Sequence, residues 1–248
     1  MAMHASKNKK GLPVTLWSRS TQLAEGIRAT GFNQKYLQDI QLPAELFISS
    51  DWNQLFADCV DEDLLFIATP VSGLKETVDQ LLKLQQIPKN WVWLCKGLEP
   101  KTSLMPHQVI ARELSLASAN NRGIKTAVLS GPSFASEVAK GMPCALTVAS
   151  DSNDLIALVQ AALHHGNMRI YGSNDIVGVE LGGAIKNVLA IATGIGDGLG
   201  LGLNARAALL TRGLAEMMRL MAAMGGKSET AMGLTGCLLY TSPSPRDR

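Results

Sequence analysis

Over the first two thirds of the chain, short apolar runs alternate with stretches whose apolar residues recur at helical spacing. PVTLW (13–17), LFIS (46–49), LLFIAT (64–69), WVWLC (91–95), TAVLS (126–130), ALTVA (145–149) and MRIYG (168–172) predict strands. Their near-continuous apolar character suits strands covered on both faces, as in a parallel sheet. Between them, spacing predicts helices over 21–30, 52–59, 74–84, 133–140 and 154–164, and this alternation defines βαβ units. After about residue 174 the β pattern stops. Two long stretches rich in Ala, Leu, Ile and Met, DIVGVELGGAIKNVLAIATGIGDGL and LNARAALLTRGLAEMMRLMAAMGG, predict buried helices of a second, all-α region.

Both ends depart from this texture. MAMHASKNKKG has the composition of a helix leading into the first strand, with no strand before it. Beyond Gly236 the chain turns into CLLYTSPSPRDR, rich in Ser, Pro and charge. The expected organisation is an α/β domain over 1–173, a helical region over 174–236 and a non-native tail over 237–248.

With 46% hydrophobic and 18% charged residues, the 248-residue chain has ample material for a core. Lys and Arg number 23 against 21 Asp and Glu, with 5% aromatics. No basic block stands out, so a nucleic-acid groove is not expected. Cys59, Cys95, Cys144 and Cys237 are dispersed, without a Cys-x-x-Cys pair or clustered histidines. That predicts reduced thiols, a cytoplasmic location and no structural metal. No uncharged apolar run of about 18 residues and no signal peptide is present, so neither a membrane span nor export is expected.

The phosphate-cradling Gly-x-Gly-x-x-Gly turn is absent, and the glycines from Gly194 to Gly202 follow a helical stretch, not a strand. They are read as a helix-ending connection. Arg19, after the first strand, stands where an arginine can take the 2′-phosphate of NADP, or is an ordinary solvated arginine. Lys96 follows WVWLC at a strand's carboxyl end, the edge where open α/β sheets bind ligands. In SGPSFASEVAKG, Gly131 permits close approach and Ser133 is the expected N-cap of a helix with Glu137 in its first turn. Ser133 has capping as its simpler reading.

Lys186 and Asn187 interrupt an otherwise apolar helix. Burying an ammonium without a partner lowers its pKa. Gly182 and Gly183, four residues earlier, open a gap where a small ligand could lie. Lys186 is then a general acid/base acting on a carbonyl, or a snorkelling lysine paired with Glu180 or a backbone carbonyl. Asn204 and Thr211 share one helical face and either line a site or bond between helices.

Taken in order, LWSR, KYL, CKGLEP, LSGPSFASEVAKG, VGVELGGAIKNVLAIATGIGDGLGLGLNARAALLTRGLAEM and MGLTG resemble the bacterial NAD(P)-dependent glycerol-3-phosphate dehydrogenases, from residue 1 to about 236. The resemblance implies a Rossmann-type doubly wound sheet, its first strand and glycine-rich turn missing here, followed by a truncated all-α substrate domain. It implies reversible hydride transfer between NAD or NADP and dihydroxyacetone phosphate, giving sn-glycerol 3-phosphate for glycerophospholipid synthesis. By matching motif, Lys186 is the proton acceptor and a substrate contact, Lys96 touches substrate and cofactor, and Gly131 and Ser133 bind substrate. Arg19, Tyr36 and Ala135 fall at cofactor positions, and a homodimer stays open. Lys96 is expected to lower the Lys186 pKa by like-charge repulsion. The rival readings are a 3-hydroxyacid dehydrogenase of related architecture and a non-catalytic truncated product. The chain as written is expected to be inactive and poorly stable.

Overall fold

A computed structural model describes residues 1–8, 13–117 and 123–234. Nine strands and nine α-helices are found among them. The helix α1 (Ala2–Ser6) precedes β1 (Val14–Trp17), α2 (Thr21–Thr30), β2 (Phe32–Asn33), β3 (Leu37–Gln41), β4 (Leu46–Ser49) and α3 (Trp52–Phe56). Next come β5 (Leu64–Ile67), α4 (Val71–Leu81), β6 (Asn90–Trp93), α5 (Pro106–Leu116), β7 (Lys125–Ser130), α6 (Ala135–Ala139), β8 (Cys144–Ala149), α7 (Asn153–Leu163) and β9 (Met168–Ser173). The last two are α8 (Ile176–Gly198) and α9 (Gly202–Ala223), followed by a 3₁₀ turn at Ser228–Met232.

Every strand expected from an apolar run forms. Strands β5 to β9 make one sheet in the order β5-β6-β7-β8-β9, β1 pairs with β4 in parallel, and β2 with β3 form a separate antiparallel ribbon. Among the described residues no ladder joins β1 to β5, so the two parallel units stand as separate sheets.

Pairing is parallel throughout the five-stranded sheet except between β7 and β8, which run antiparallel. The expectation of βαβ units alone is corrected here. The five-residue α6 spans only about 8 Å, against roughly 20 Å for a six-residue strand. It does not carry the chain back to the start of the sheet, and the chain turns at Gly131 to run back along β7.

The core follows the period-two geometry of strands. Trp91, Trp93 and Val128 pack with Leu74, Val78 and Ile110 on one face, while Val92, Ala127 and Leu129 pack with Leu155, Val159 and Leu163 on the other. Each large side chain fully buried in this way contributes about 1.5–3 kcal/mol. The polar ends of the tryptophans are satisfied: Trp91 Nε1 donates to Pro88 O at 2.7 Å and Trp93 Nε1 to Glu180 Oε1 at 2.8 Å.

Among the described residues, side-chain caps set four of the nine helix starts. Ser20, Asp51, Ser152 and Asp175 each accept a backbone N–H in the first turn of α2, α3, α7 and α8. The expected cap at Ser133 is not formed, because α6 starts two residues later with Phe134 in the N-cap position and no side-chain cap. The ribbon β2–β3 and helix α5 were not anticipated. The ribbon lacks a long apolar run, and α5 shows only the weaker signal of Pro106 at its first turn.

The expectation of two buried helices holds for half of α8. Gly178 to Gly183 are buried, whereas Val188, Ile191, Ile195 and Leu199 are exposed. The difference is one of neighbours: in the first half Gly178 lies against Thr230 of the 3₁₀ turn and Gly183 against Ser130 of β7. By length and hydropathy α8 could cross a membrane, but that first half is anchored in the protein core through Glu180. Asn204 and Thr211 are exposed, and no hydrogen bond between helices is found for either among the described residues. Gly194, Gly196 and Gly198 stay within α8, and the turn falls at Gly200 and Gly202, whose φ angles are +68° and +82°.

Candidate active site

The structure brings Lys96, Gly131 and Lys186 together. Lys96 lies just beyond β6, Gly131 just beyond β7, and Lys186 three turns into α8. Both strands end their parallel ladder at this edge, where ligands sit in doubly wound sheets. Lys96 Nζ donates to Gly131 O at 3.3 Å, and the amines of Lys96 and Lys186 hydrogen-bond each other.

Both lysines are half-buried and both titrate low. Burial pushes Lys96 down to about 7, helped by the charge of Lys186 and by the hydrogen bond between them. Burial also lowers Lys186, but its bond to Lys96 acts in the opposite sense and raises it. Burial is the largest cause for both amines, and the two lie close enough to influence each other.

The reading that Glu180 neutralises Lys186 is excluded by geometry. Glu180 is 5% exposed and both its oxygens are taken. Oε1 accepts from Trp93 Nε1 at 2.8 Å and from His107 N at 2.9 Å, and Oε2 meets His107 Nδ1 at 2.5 Å. The glycine gap is also occupied differently from expectation. A Cβ on Gly183 would stand 2.8 Å from Ser130 Oγ and 3.6 Å from Lys96 Cγ. The small residue there admits a strand end and the lysine stem of this same chain.

Gly131 has φ +145°, and a Cβ would lie 2.9 Å from Ala145 O and 3.1 Å from Leu146 Cα. Its close approach is to the backbone of β8. Ser133 is half-buried and Ala135 exposed, both on the segment leading from Gly131 into α6.

Arg19 and Tyr36 are placed apart from the lysines. They share a cavity of about 520 Å³ with Ser18, Ser20, Thr30 and Lys35, lined by no carboxylate. Lys35 Nζ lies 5.2 Å from the centroid of the Tyr36 ring. A cavity at the carboxyl end of β1, with two cations and several hydroxyls, fits the adenosine end of a nicotinamide dinucleotide and the 2′-phosphate of its phosphorylated form. Among the described residues no group of His, Cys, Asp and Glu could hold a metal ion.

Sequence reasoning missed two of these groups. Ser130 carried a signal, a polar residue ending an apolar strand. The role of Glu180 carried none, because its partners lie 73 and 87 positions away.

A Rossmann-type α/β sheet with a lysine pair at its carboxyl edge and a helical region behind it defines a nicotinamide-dependent oxidoreductase. Residues 1–156 match the family model described as NAD-dependent glycerol-3-phosphate dehydrogenase N-terminus, and residues 175–248 match that of the C-terminus. The chain belongs to this family. It is 61% identical over 238 residues to a glycerol-3-phosphate dehydrogenase (NAD(P)+) of Polynucleobacter asymbioticus, covering 95% of this chain and 69% of that one. To its counterpart in Cupriavidus metallidurans it is 52% identical, covering 95% and 70%. The solved glycerol-3-phosphate dehydrogenase of Coxiella burnetii superposes with a TM-score of 0.86 at 37% identity, over 99% of this chain and 74% of the other. The cofactor is NAD or NADP.

Proposed function

We propose that the chain reduces dihydroxyacetone phosphate to sn-glycerol 3-phosphate, reversibly, with Lys186 as the proton donor. The observation that carries this reading is the lysine pair: two half-buried amines facing each other at the ligand edge, with the buried Glu180 already engaged by Trp93 and His107.

The cofactor supplies hydride to the carbonyl carbon. Lys186 donates its proton to the ketone oxygen as negative charge develops there, and takes a proton back in the reverse direction. Lys96, brought down to about 7 by burial and held by Gly131 O, lies beside Lys186 and orients that amine. Both amines in their charged form attract an anionic substrate. Gly131 and Ser133 line the substrate side, while Arg19, Tyr36 and Ala135 take the cofactor. Within this reading the α/β part is 1–173 and the helical part 174–236. The product feeds glycerophospholipid synthesis in the cytoplasm, a location supported by the free Cys59, Cys95 and Cys144.

The test is Lys186→Ala, made in the gene product that carries these residues. Loss of a positioned acid should slow the chemical step at least about 100-fold, read as substrate-dependent oxidation of NADPH. Turnover near that of the unsubstituted enzyme would sink the assignment.

A further inference from the structure

Ser130 has no part in the chemistry above, yet it sits against it. It ends β7 at 3% exposure, and its hydroxyl has no hydrogen-bond partner. A buried hydroxyl without a partner is unfavourable, and an alanine would fill the same strand position without that cost. The hydroxyl and the Lys96 stem converge on one side of α8. From the point where Gly183 would carry its Cβ, Ser130 Oγ is 2.8 Å away and Lys96 Cγ and Cδ are 3.6 and 3.8 Å away. The present acceptor of Lys96 Nζ is the carbonyl of Gly131, the residue next to Ser130.

Counting hydrogens shows what is missing. A neutral Lys96 amine has two N–H groups and one lone pair. That amine meets Lys186 and gives one N–H to Gly131 O, and among the described residues no further acceptor is found for it. As an ammonium it has three donors, of which only the one to Gly131 O has an acceptor within the protein.

We propose that Ser130 is a positioning residue for this reaction: its hydroxyl is the second seat of the Lys96 amine, taken by rotation at the end of that side chain when substrate draws Lys186 to its own oxygen. The inference rests on Lys186 being the proton donor. Seated between Gly131 O and Ser130 Oγ, Lys96 is held in place while its partner is engaged. It is then ready to receive the Lys186 bond again.

The other groups facing the pair offer no such seat. From α8 come Lys186 itself and Glu180, which Trp93 and His107 occupy. Cys95 on β6's end is a thiol, pushed up to about 12 by burial and then by the charge of Glu180. Strand β8, opposite Gly131, carries no charged residue.

Ser130→Ala tests this with two readouts. The first is the pH dependence of acylation of Lys96 and Lys186 with saturating dihydroxyacetone phosphate and no cofactor, the state in which the seat is taken, followed by peptide mapping from pH 6 to 10 with an amine-reactive ester. The second is the pH–rate profile of dihydroxyacetone phosphate reduction by the gene product that carries these residues. A hydrogen bond to the charged form favours that form, so removing the seat lowers the pH at which the pair gives up its proton. We expect both the acylation midpoint and the alkaline limb of reduction to move to lower pH by about half to one unit, and kcat to fall about 5- to 10-fold, the worth of one neutral hydrogen bond. KM for the substrate should change less than about twofold.

Ser130→Cys keeps the shape with a poor acceptor and should move both midpoints in the same direction. It also decides the matter if the alanine variant does not fold. Unchanged midpoints in the folded variants overturn the proposal and leave Ser130 as packing alone. The acylation readout needs no turnover, so it separates this proposal from the assignment of Lys186, which falls or stands on Lys186→Ala.

Discussion

Arg19 shows how much a single side chain decides when its surroundings are one-signed. It stands exposed just past β1, in a cavity that holds Lys35 and several hydroxyls but no carboxylate. An acid at this edge would favour the ribose hydroxyl of NAD, whereas a guanidinium can grip a 2′-phosphate through two parallel bonds. Charge-assisted bonds contribute about 1.5–3 kcal/mol, or roughly 10- to 100-fold. Arg19→Ala should therefore raise KM for NADPH at least about 10-fold more than KM for NADH, measured by steady-state kinetics of the gene product carrying these residues. Equal effects on the two cofactors would place Arg19 outside the ribose pocket.

At the scale of elements, the site depends on how the end of β7 meets β8 and α8. Gly131 makes that junction possible. Its φ of +145° belongs to the range that side chains avoid, and a Cβ would run into Ala145 O, Leu146 Cδ2 and Leu146 Cα at 2.9–3.1 Å. The obstacles include backbone, so they do not move aside cheaply. The same residue presents the carbonyl that holds Lys96. Gly131→Ala should destabilise the fold by about 1–3 kcal/mol and weaken activity together with stability. Thermal unfolding followed by circular dichroism reads the first effect, and an unchanged melting temperature would show that the β7–β8 turn has room to relax.

Across the whole molecule, α8 is the part that joins the sheet to the helical region. Glu180 ties it to β6 through Trp93 and to the start of α5 through His107. Asp175 ties it to the segment after α9 through Lys227 N and Thr230 Oγ1. Lys186 is therefore aimed by anchors one to three turns away from it. Glu180→Ala would leave buried donors on Trp93 and His107 without an acceptor, at about 1–3 kcal/mol each. For a chain of this size about 2–4 °C of melting temperature is lost per kcal/mol. A fall of roughly 5–10 °C is expected by calorimetry, while Glu180→Gln, which keeps an acceptor oxygen, should lose less. A change below about 1 °C for the alanine variant would show that α8 is held by apolar packing alone.

The strands from 14 to 173, the two long helices and the lysine of AIKN could be read from the chain, because apolar periodicity and an isolated charge on an apolar helix are local signals. The family could be read as well, since its motifs are contiguous. The antiparallel turn at Gly131, the ribbon at 32–41 and the start of α6 at Ala135 depended on which backbone passes beside which, and that is not local. So did the electrostatics of the site. The family resemblance implied that Lys96 lowers Lys186, and helical spacing suggested Glu180 as its partner. Only the packed structure shows Glu180 spent on Trp93 and His107, Lys96 held by Gly131 O beside Lys186, and an orphan hydroxyl at Ser130. A pKa and a hydrogen bond depend on the groups within a few ångströms, and here those groups come from strands and helices up to about 90 residues apart, brought together only when the chain is folded.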